Sequence, residues 1–179
     1  MDEIVKAALK KWPNVPHCYD WLALDARGDW YMRDDRVQHV GPFPQVKGSR
    51  VLHDKLREFI HRNYEHDEAG AWYFQNGPQR VYVWLEAAPW VWRVSEAAGE
   101  PVVTSHTGRA AGAVREVLLD EHGRLFLATE LGLGLVHTQD VGEAARWVES
   151  GRWVPQDVRF ADLPARYGYG LRPAPYHCP

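Results

Sequence analysis

Apolar residues recur along this chain with two periods. Ile4, Val5, Ala8 and Leu9 fall on one stripe of a helix that Asp2 is placed to cap, with Lys6, Lys10 and Lys11 off the stripe. Trp12-Pro13-Asn14-Val15-Pro16 ends it, because proline lacks an amide hydrogen and biases its predecessor away from α. A second stripe, Leu52, Leu56, Phe59, Ile60 and Asn63, predicts a helix that starts after Ser49 and turns Lys55, Arg57, Glu58 and Arg62 outward. A third, Ala144, Ala145 and Val148, follows Asp140 and Glu143 at capping-box spacing and stops near Ser150-Gly151.

Between the helices the pattern is that of strands. Trp21-Leu22-Ala23-Leu24, Trp30-Tyr31-Met32, Ala71-Trp72-Tyr73-Phe74, Arg80 to Glu86 and Trp90 to Val94 are rich in aromatic and β-branched residues. Val114–Leu119, Arg124–Ala128 and Leu133–His137 predict a further meander. Turn chemistry separates these runs. Asn76-Gly77-Pro78 is a hairpin signal, and Gly41-Pro42-Phe43-Pro44 reads as a loop. Asp25-x-x-Gly28, Asp67-x-x-Gly70 and Asp120-x-x-Gly123 each precede a strand, as three similar turns in which Asp bonds its own downstream backbone. Glu96-Ala97-Ala98-Gly99-Glu100 is the best candidate for a boundary between lobes.

The expected architecture is therefore α+β, rich in hairpins and meanders, as two small β-roll-like lobes with about three helices. Residues 1–96 would form the first lobe, with helices near 2–11 and 50–64; residues 101–179 would form the second, with a helix near 140–149 and an extended tail, unless both share one compact domain. The order of strand, Asp-x-x-Gly turn, aromatic strand, helix and second aromatic hairpin carries a resemblance. That second hairpin runs Trp72-Tyr73-Phe74-Gln75-Asn76-Gly77-Pro78-Gln79-Arg80-Val81-Tyr82-Val83 and closes on Glu86-Ala87-Ala88-Pro89-Trp90. The layout over roughly residues 19 to 150 resembles a group of bacterial proteins, chiefly proteobacterial, classed as domains of unknown function. The resemblance implies paired β-rolls with few helices and implies no activity. Tyr176-His177-Cys178-Pro179 is not part of that layout.

The 179 residues are 45% hydrophobic and 25% charged, the balance of a globular chain. A net charge of -3 gives no general attraction to nucleic acid or to an acidic membrane, so neither is an expected partner. No run approaches the roughly 18 apolar residues of a membrane span, and Met1–Leu9 does not read as a signal peptide. Two distant cysteines make no disulfide framework, and a cytoplasmic location is the default. Tryptophan is the outlier, with 9 copies that can serve as core or as ligand platform.

Candidate chemistry is sparse. His17-Cys18 and His177-Cys178 together hold a zinc-type donor set, against which stand the diverging side chains of adjacent residues and the absence of Cys-x-x-Cys spacing. A Cys18 nucleophile would need a base and an orienting donor that the pattern does not supply; a buried inert thiol is the plainer reading. Asp34-Asp35, Asp67-Glu68 and Asp120-Glu121 sit in expected turns. Gly132-x-Gly134 and Gly108-x-x-x-Gly112 lack a phosphate-binding fingerprint; the first pair suggests a bulge or tight hairpin. No cofactor is expected. Strand alternation sets Tyr82, Trp84 and Glu86 opposite Val81, Val83 and Leu85, and puts Trp90 and Trp92 on one face. Arg80, Tyr82, Trp84, Trp90, Trp92 and Arg93 are thus the candidate ligand-binding set, an aromatic groove for a protein or a small molecule. The function expected is a non-enzymatic binding or regulatory module. The alternatives are an enzyme with an inter-lobe cleft using His17, Cys18, His53, His137 and acidic residues, and a structural protein that homodimerises through an edge strand.

Overall fold

The computed structural model describes residues 1–175. The chain divides into two units, one of Met1–Asp25, Asp29–Glu86 and the segment from Tyr169 onward, the other of Ala26–Gly28 and Ala87–Gly168. Each is built on its own six-stranded sheet, so the protein is α+β with two β-rich units.

In the first unit the helix α1 (Glu3–Lys11) precedes the hairpin β1 (Cys18–Leu24) and β2 (Trp30–Met32). Then come α2 (Asp35–Val40), β3 (Ser49–Arg50), α3 (Asp54–Arg62) and the meander β4 (Tyr64–His66), β5 (Trp72–Asn76) and β6 (Gln79–Leu85). The sheet order is β3-β2-β1-β6-β5-β4, with β1 and β6 parallel and the other pairs antiparallel. On the face that carries Leu22, Leu24, Trp30, Phe74, Val83 and Leu85, Ile60 of α3 is buried, and the ring of Phe59 meets Phe74 edge-on at 5.4 Å. The Trp30 indole N–H donates to His61 Nε2 of α3 at 3.0 Å, which ties helix to sheet.

The second unit repeats this order. A hairpin, β7 (Trp90–Ala97) and β8 (Glu100–Ser105), leads to the meander β9 (Val114–Asp120), β10 (Leu125–Thr129) and β11 (Gly132–Val136). A 3-10 turn, α4 (Val141–Glu149), β12 (Pro155–Val158), a second 3-10 turn and α5 (Leu163–Tyr167) complete it. The sheet order is β12-β9-β10-β11-β7-β8, and the last meander strand, β11, again lies parallel to the first hairpin strand, β7. Among the described residues no helix is long and apolar enough to cross a membrane.

Several expectations are revised. Glu96–Glu100 is not the boundary between units but a tight hairpin turn within the second, with Glu96 opposite Pro101 and Ala98 and Gly99 at positive φ. Trp90–Val94 consequently belongs to the second sheet, although its sequence neighbours place it with the first. The second helix starts at Asp54, capped by the His53 ring, so Leu52 lies outside it and is exposed. The helix α2 was not expected; its one signal is Asp34, which accepts from the Val37 amide at 3.0 Å. The Asp140 carboxylate makes no capping box, because Arg93 and the Val94 amide hold it instead. The tail is more regular than a plain wrap, with β12 and α5 inside it.

The three Asp-x-x-Gly turns are alike in detail. Asp67 Oδ1 accepts from the amides of Ala69 and Ala71, at 3.0 and 2.9 Å. Asp120 Oδ1 accepts from those of His122 and Arg124, at 3.0 and 2.8 Å, and Asp25 Oδ1 accepts from Asp29. The first two occupy the equivalent turn of the two meanders.

Candidate functional site

Alternation along β6 decides what each sheet face offers. Arg80, Tyr82 and Trp84 point one way, Val81, Val83 and Leu85 the other. Tyr82 stacks on Tyr19 at 4.7 Å and donates its hydroxyl to Asp67 at 3.1 Å. Arg80 lies 4.4 Å over the Tyr73 ring. Burial raises the Tyr82 phenol above its ordinary value, Arg80 pulls it down and Asp67 pushes it up. Trp84 is half-buried and touches two arginines, Arg33 and Arg172.

The other half of the expected groove lies on the second sheet. Trp90 and Trp92 are about 1% and 0% exposed, and their indole N–H groups donate to the carbonyls of Leu131 and Leu127 at 3.2 and 2.9 Å. They are core, with no ring face open to a ligand. Gly132 and Gly134 are explained by them: a Cβ on Gly134 would stand 2.8 Å from Trp90 Cβ and run into the Trp92 indole. The glycines make room for two indoles, and Gly132, paired with Thr129, also closes the expected tight hairpin. Arg93 is exposed and holds Asp140 with two bonds, at 2.6 and 3.0 Å.

The expected metal donors are divided. His17 is exposed with its ring 5.8 Å from that of Tyr82 and steeply inclined to it, Cys18 is half-buried, and His177 and Cys178 lie outside the described residues. Among the described residues no group of three or more His, Cys, Asp or Glu could hold a metal ion. The residues named for a catalytic cluster have local tasks instead. His53 caps α3 and His137 accepts from the Gln139 amide. Asp34 caps α2, and Glu121 accepts from the Phe160 amide.

The first sheet instead offers an apolar cavity of about 250 Å³ on its α3 side. Its walls are Leu22, Val51, Leu56, Ile60, Phe74 and Val81, with Cys18, Asn76 and Gln79 as the polar fraction. Trp21 and Met32 also line it while remaining 39% and 50% exposed. A bulge creates this geometry. Cys18 pairs with Val81 but Leu22 with Val83, so Tyr19, Asp20 and Trp21 all stand against Tyr82. Asp20 accordingly takes a positive φ of 65°. The two extra residues leave Trp21 beside Cys18 in the wall of the apolar cavity and set Asp20 against Arg172. No local pattern announces such a bulge; the one visible sign is a Tyr-Asp-Trp run with no clean alternation.

Two solved structures are similar to this chain. A DUF1285 family protein from Silicibacter pomeroyi is 14% identical, with a TM-score of 0.49 over 80% of this chain and 83% of that one. A DUF1285 family protein from Shewanella baltica is 15% identical, with a TM-score of 0.47 over 70% of this chain and 91% of that one. No curated protein matches. A family profile covers residues 1–174, and the chain belongs to that family, described as protein of unknown function (DUF2946).

Proposed function

For this member of the DUF2946 family, we propose a non-enzymatic binding module of the bacterial cytoplasm that holds the apolar part of a small ligand between α3 and the first sheet. The observation that carries the reading is the cavity of about 250 Å³ with apolar walls and partly exposed Trp21 and Met32. Protein interiors are close-packed, and voids larger than a water are few. A pocket with apolar walls and a few convergent polar groups is the usual form of a small-molecule site. Cys18, Asn76 and Gln79 supply the polar groups that would orient a ligand. A second reading rests on Trp21, Met32 and Leu52, which are all substantially exposed: they would suit an anchor side chain from a partner protein.

The test is titration with a neutral apolar dye such as Nile red, against wild type and Cys18→Trp. The substitution places an indole in the cavity from a half-buried wall position. Saturable dye fluorescence in wild type that is lost in a folded C18W protein supports the reading. Equal dye binding by both proteins, or no saturable binding by wild type, overturns it.

A further inference from the structure

Asp20 and Trp84 lead to a second cavity, of about 320 Å³, lined by Asp20, Arg33, Gln38, Gly41, Pro42, Trp84 and Arg172. Trp84 and Val81 point to opposite faces of β6, so this space is not the apolar cavity. Its unusual member is Arg33. The side chain is about 1% exposed, and guanidinium groups are almost never fully buried unless paired. Nη1 donates to the Val46 carbonyl and Nη2 to the Gly41 carbonyl at 2.8 Å. Those two bonds pin the loop between α2 and β3. They leave Nε–H without a partner and, among the described residues, leave the charge with no carboxylate in ion-pair contact. A buried cation without a counter-charge is costly. Burial lowers the Arg33 pKa, Asp20 raises it and Arg172 lowers it again, yet arginine stays protonated.

The one carboxylate in the lining is already engaged. Asp20 accepts Arg172 Nε and Nη2 in a two-pronged pair, both at 3.0 Å, and Arg172 lies 4.2 Å over the Trp84 ring. Two guanidinium groups and one carboxylate leave the lining with one net positive charge, and that charge sits on Arg33. Phe43 meets the Trp84 ring at 6.1 Å, so the surroundings combine this charge with aromatic surface.

We propose that the cavity formed by Arg33, Trp84 and Arg172 is a binding site for a small organic monocarboxylate with a flat or apolar body. One negative charge neutralises the lining. A dianionic phosphate would overshoot it and meet Asp20. The carboxylate offsets the uncompensated Arg33 charge from within the cavity, while Trp84 and Pro42 receive the body. The site is independent of the apolar cavity and stands or falls separately from it.

The test uses ¹⁵N-labelled protein, with the Trp84 indole resonance assigned by Trp84→Phe and the Arg33 Nε–H resonance followed directly. Benzoate is the probe, neutral benzamide the control for shape, and inorganic phosphate the control for charge. Benzoate is expected to move both resonances saturably, and benzamide to move neither. Asp20→Asn, which removes the competing carboxylate, is expected to tighten benzoate binding by about threefold or more. Arg172→Gln, which cancels the net charge, is expected to weaken it by about tenfold. Neither variant touches the loop that Arg33 holds. Three results overturn the proposal: no saturable benzoate shift in wild type and D20N, equal binding of benzoate and benzamide, or tighter binding of phosphate than of benzoate.

Discussion

In both units a hairpin is followed by a three-stranded meander whose last strand runs parallel to the first strand of the hairpin. The order is β2-β1-β6-β5-β4 in one and β8-β7-β11-β10-β9 in the other. The units differ in what joins hairpin to meander and in what fills the central parallel pair. In the second unit the link from Ser105 to Val114 is short, and Trp90 and Trp92 lie against Gly134 and Val136. In the first unit the link from Met32 to Tyr64 carries α2, β3 and α3, and the central pair sets Leu22 and Leu24 against Val83 and Leu85. The central pair of the second sheet is packed by its own indoles. The first sheet is covered by an inserted segment, and cavities lie on both of its faces. The same topology thus packs its central pair tightly where large side chains meet glycines, and leaves an apolar cavity beside it where an insertion does the covering.

The sharpest way to break this comparison is to remove an indole. Trp92→Ala is expected to cost about 3–5 kcal/mol in urea denaturation, as buried tryptophan truncations do. Gly134→Ala alone should cost about 1–3 kcal/mol through overpacking. In the Trp92→Ala background its penalty should shrink, and a double-mutant cycle that shows no coupling would refute the glycine–indole account. The turns test what the units share. Asp67→Ala and Asp120→Ala should each cost about 1–3 kcal/mol, by leaving amide donors without an acceptor; a near-zero value at either would show that the two turns are not equivalent. A pH titration sharpens what separates the units. His61 is pushed from 6.5 down to about 4, by burial and then by Arg57. Between those values the unfolded chain binds the proton and the folded one does not, so stability is full above pH 6.5 and falls as pH drops toward 4. The urea midpoint should therefore drop between pH 7 and 4.5, and His61→Gln should flatten that slope. The smallest effect belongs to the exposed Arg93: Arg93→Ala, which breaks its pair with Asp140, should cost under about 1 kcal/mol in thermal melts.

The elements legible in the sequence are those fixed by local chemistry. The Asp-x-x-Gly turns could be read because the Asp carboxylate bonds amides two and four residues on. β6 could be read because alternation and β-branched residues coincide in Arg80–Leu85. What escaped depends on distant partners or on ambiguous signs. Glu96–Glu100 has a linker's composition, and only the pairing of Arg93 with Thr104 makes it a turn. β7 looks like a continuation of β6, and its allegiance is set by β11, which lies far along the chain. The six-residue α2 is too short to show a period. Of the aromatic residues expected in one groove, Trp84 lines a cavity of the first unit, while Trp90 and Trp92 belong to the core of the second. Arg33 stands before Asp34-Asp35 and reads as one charge in a polar turn; nothing local marks it as buried.

The bond from the Leu85 amide to the Leu171 carbonyl, at 2.8 Å, has a consequence for synthesis on the ribosome. The first sheet emerges early, yet the irregular segment that satisfies β6 at Leu85, and the Arg172 that closes the Asp20 pair, follow roughly eighty residues later, a delay on the order of ten seconds at ordinary elongation rates. Throughout that interval the nascent first unit exposes a strand end and an unmatched acidic bulge. Its completion is therefore timed by translation of the second unit, and a stop codon placed after Gly168 would damage the first unit while sparing every strand of the second.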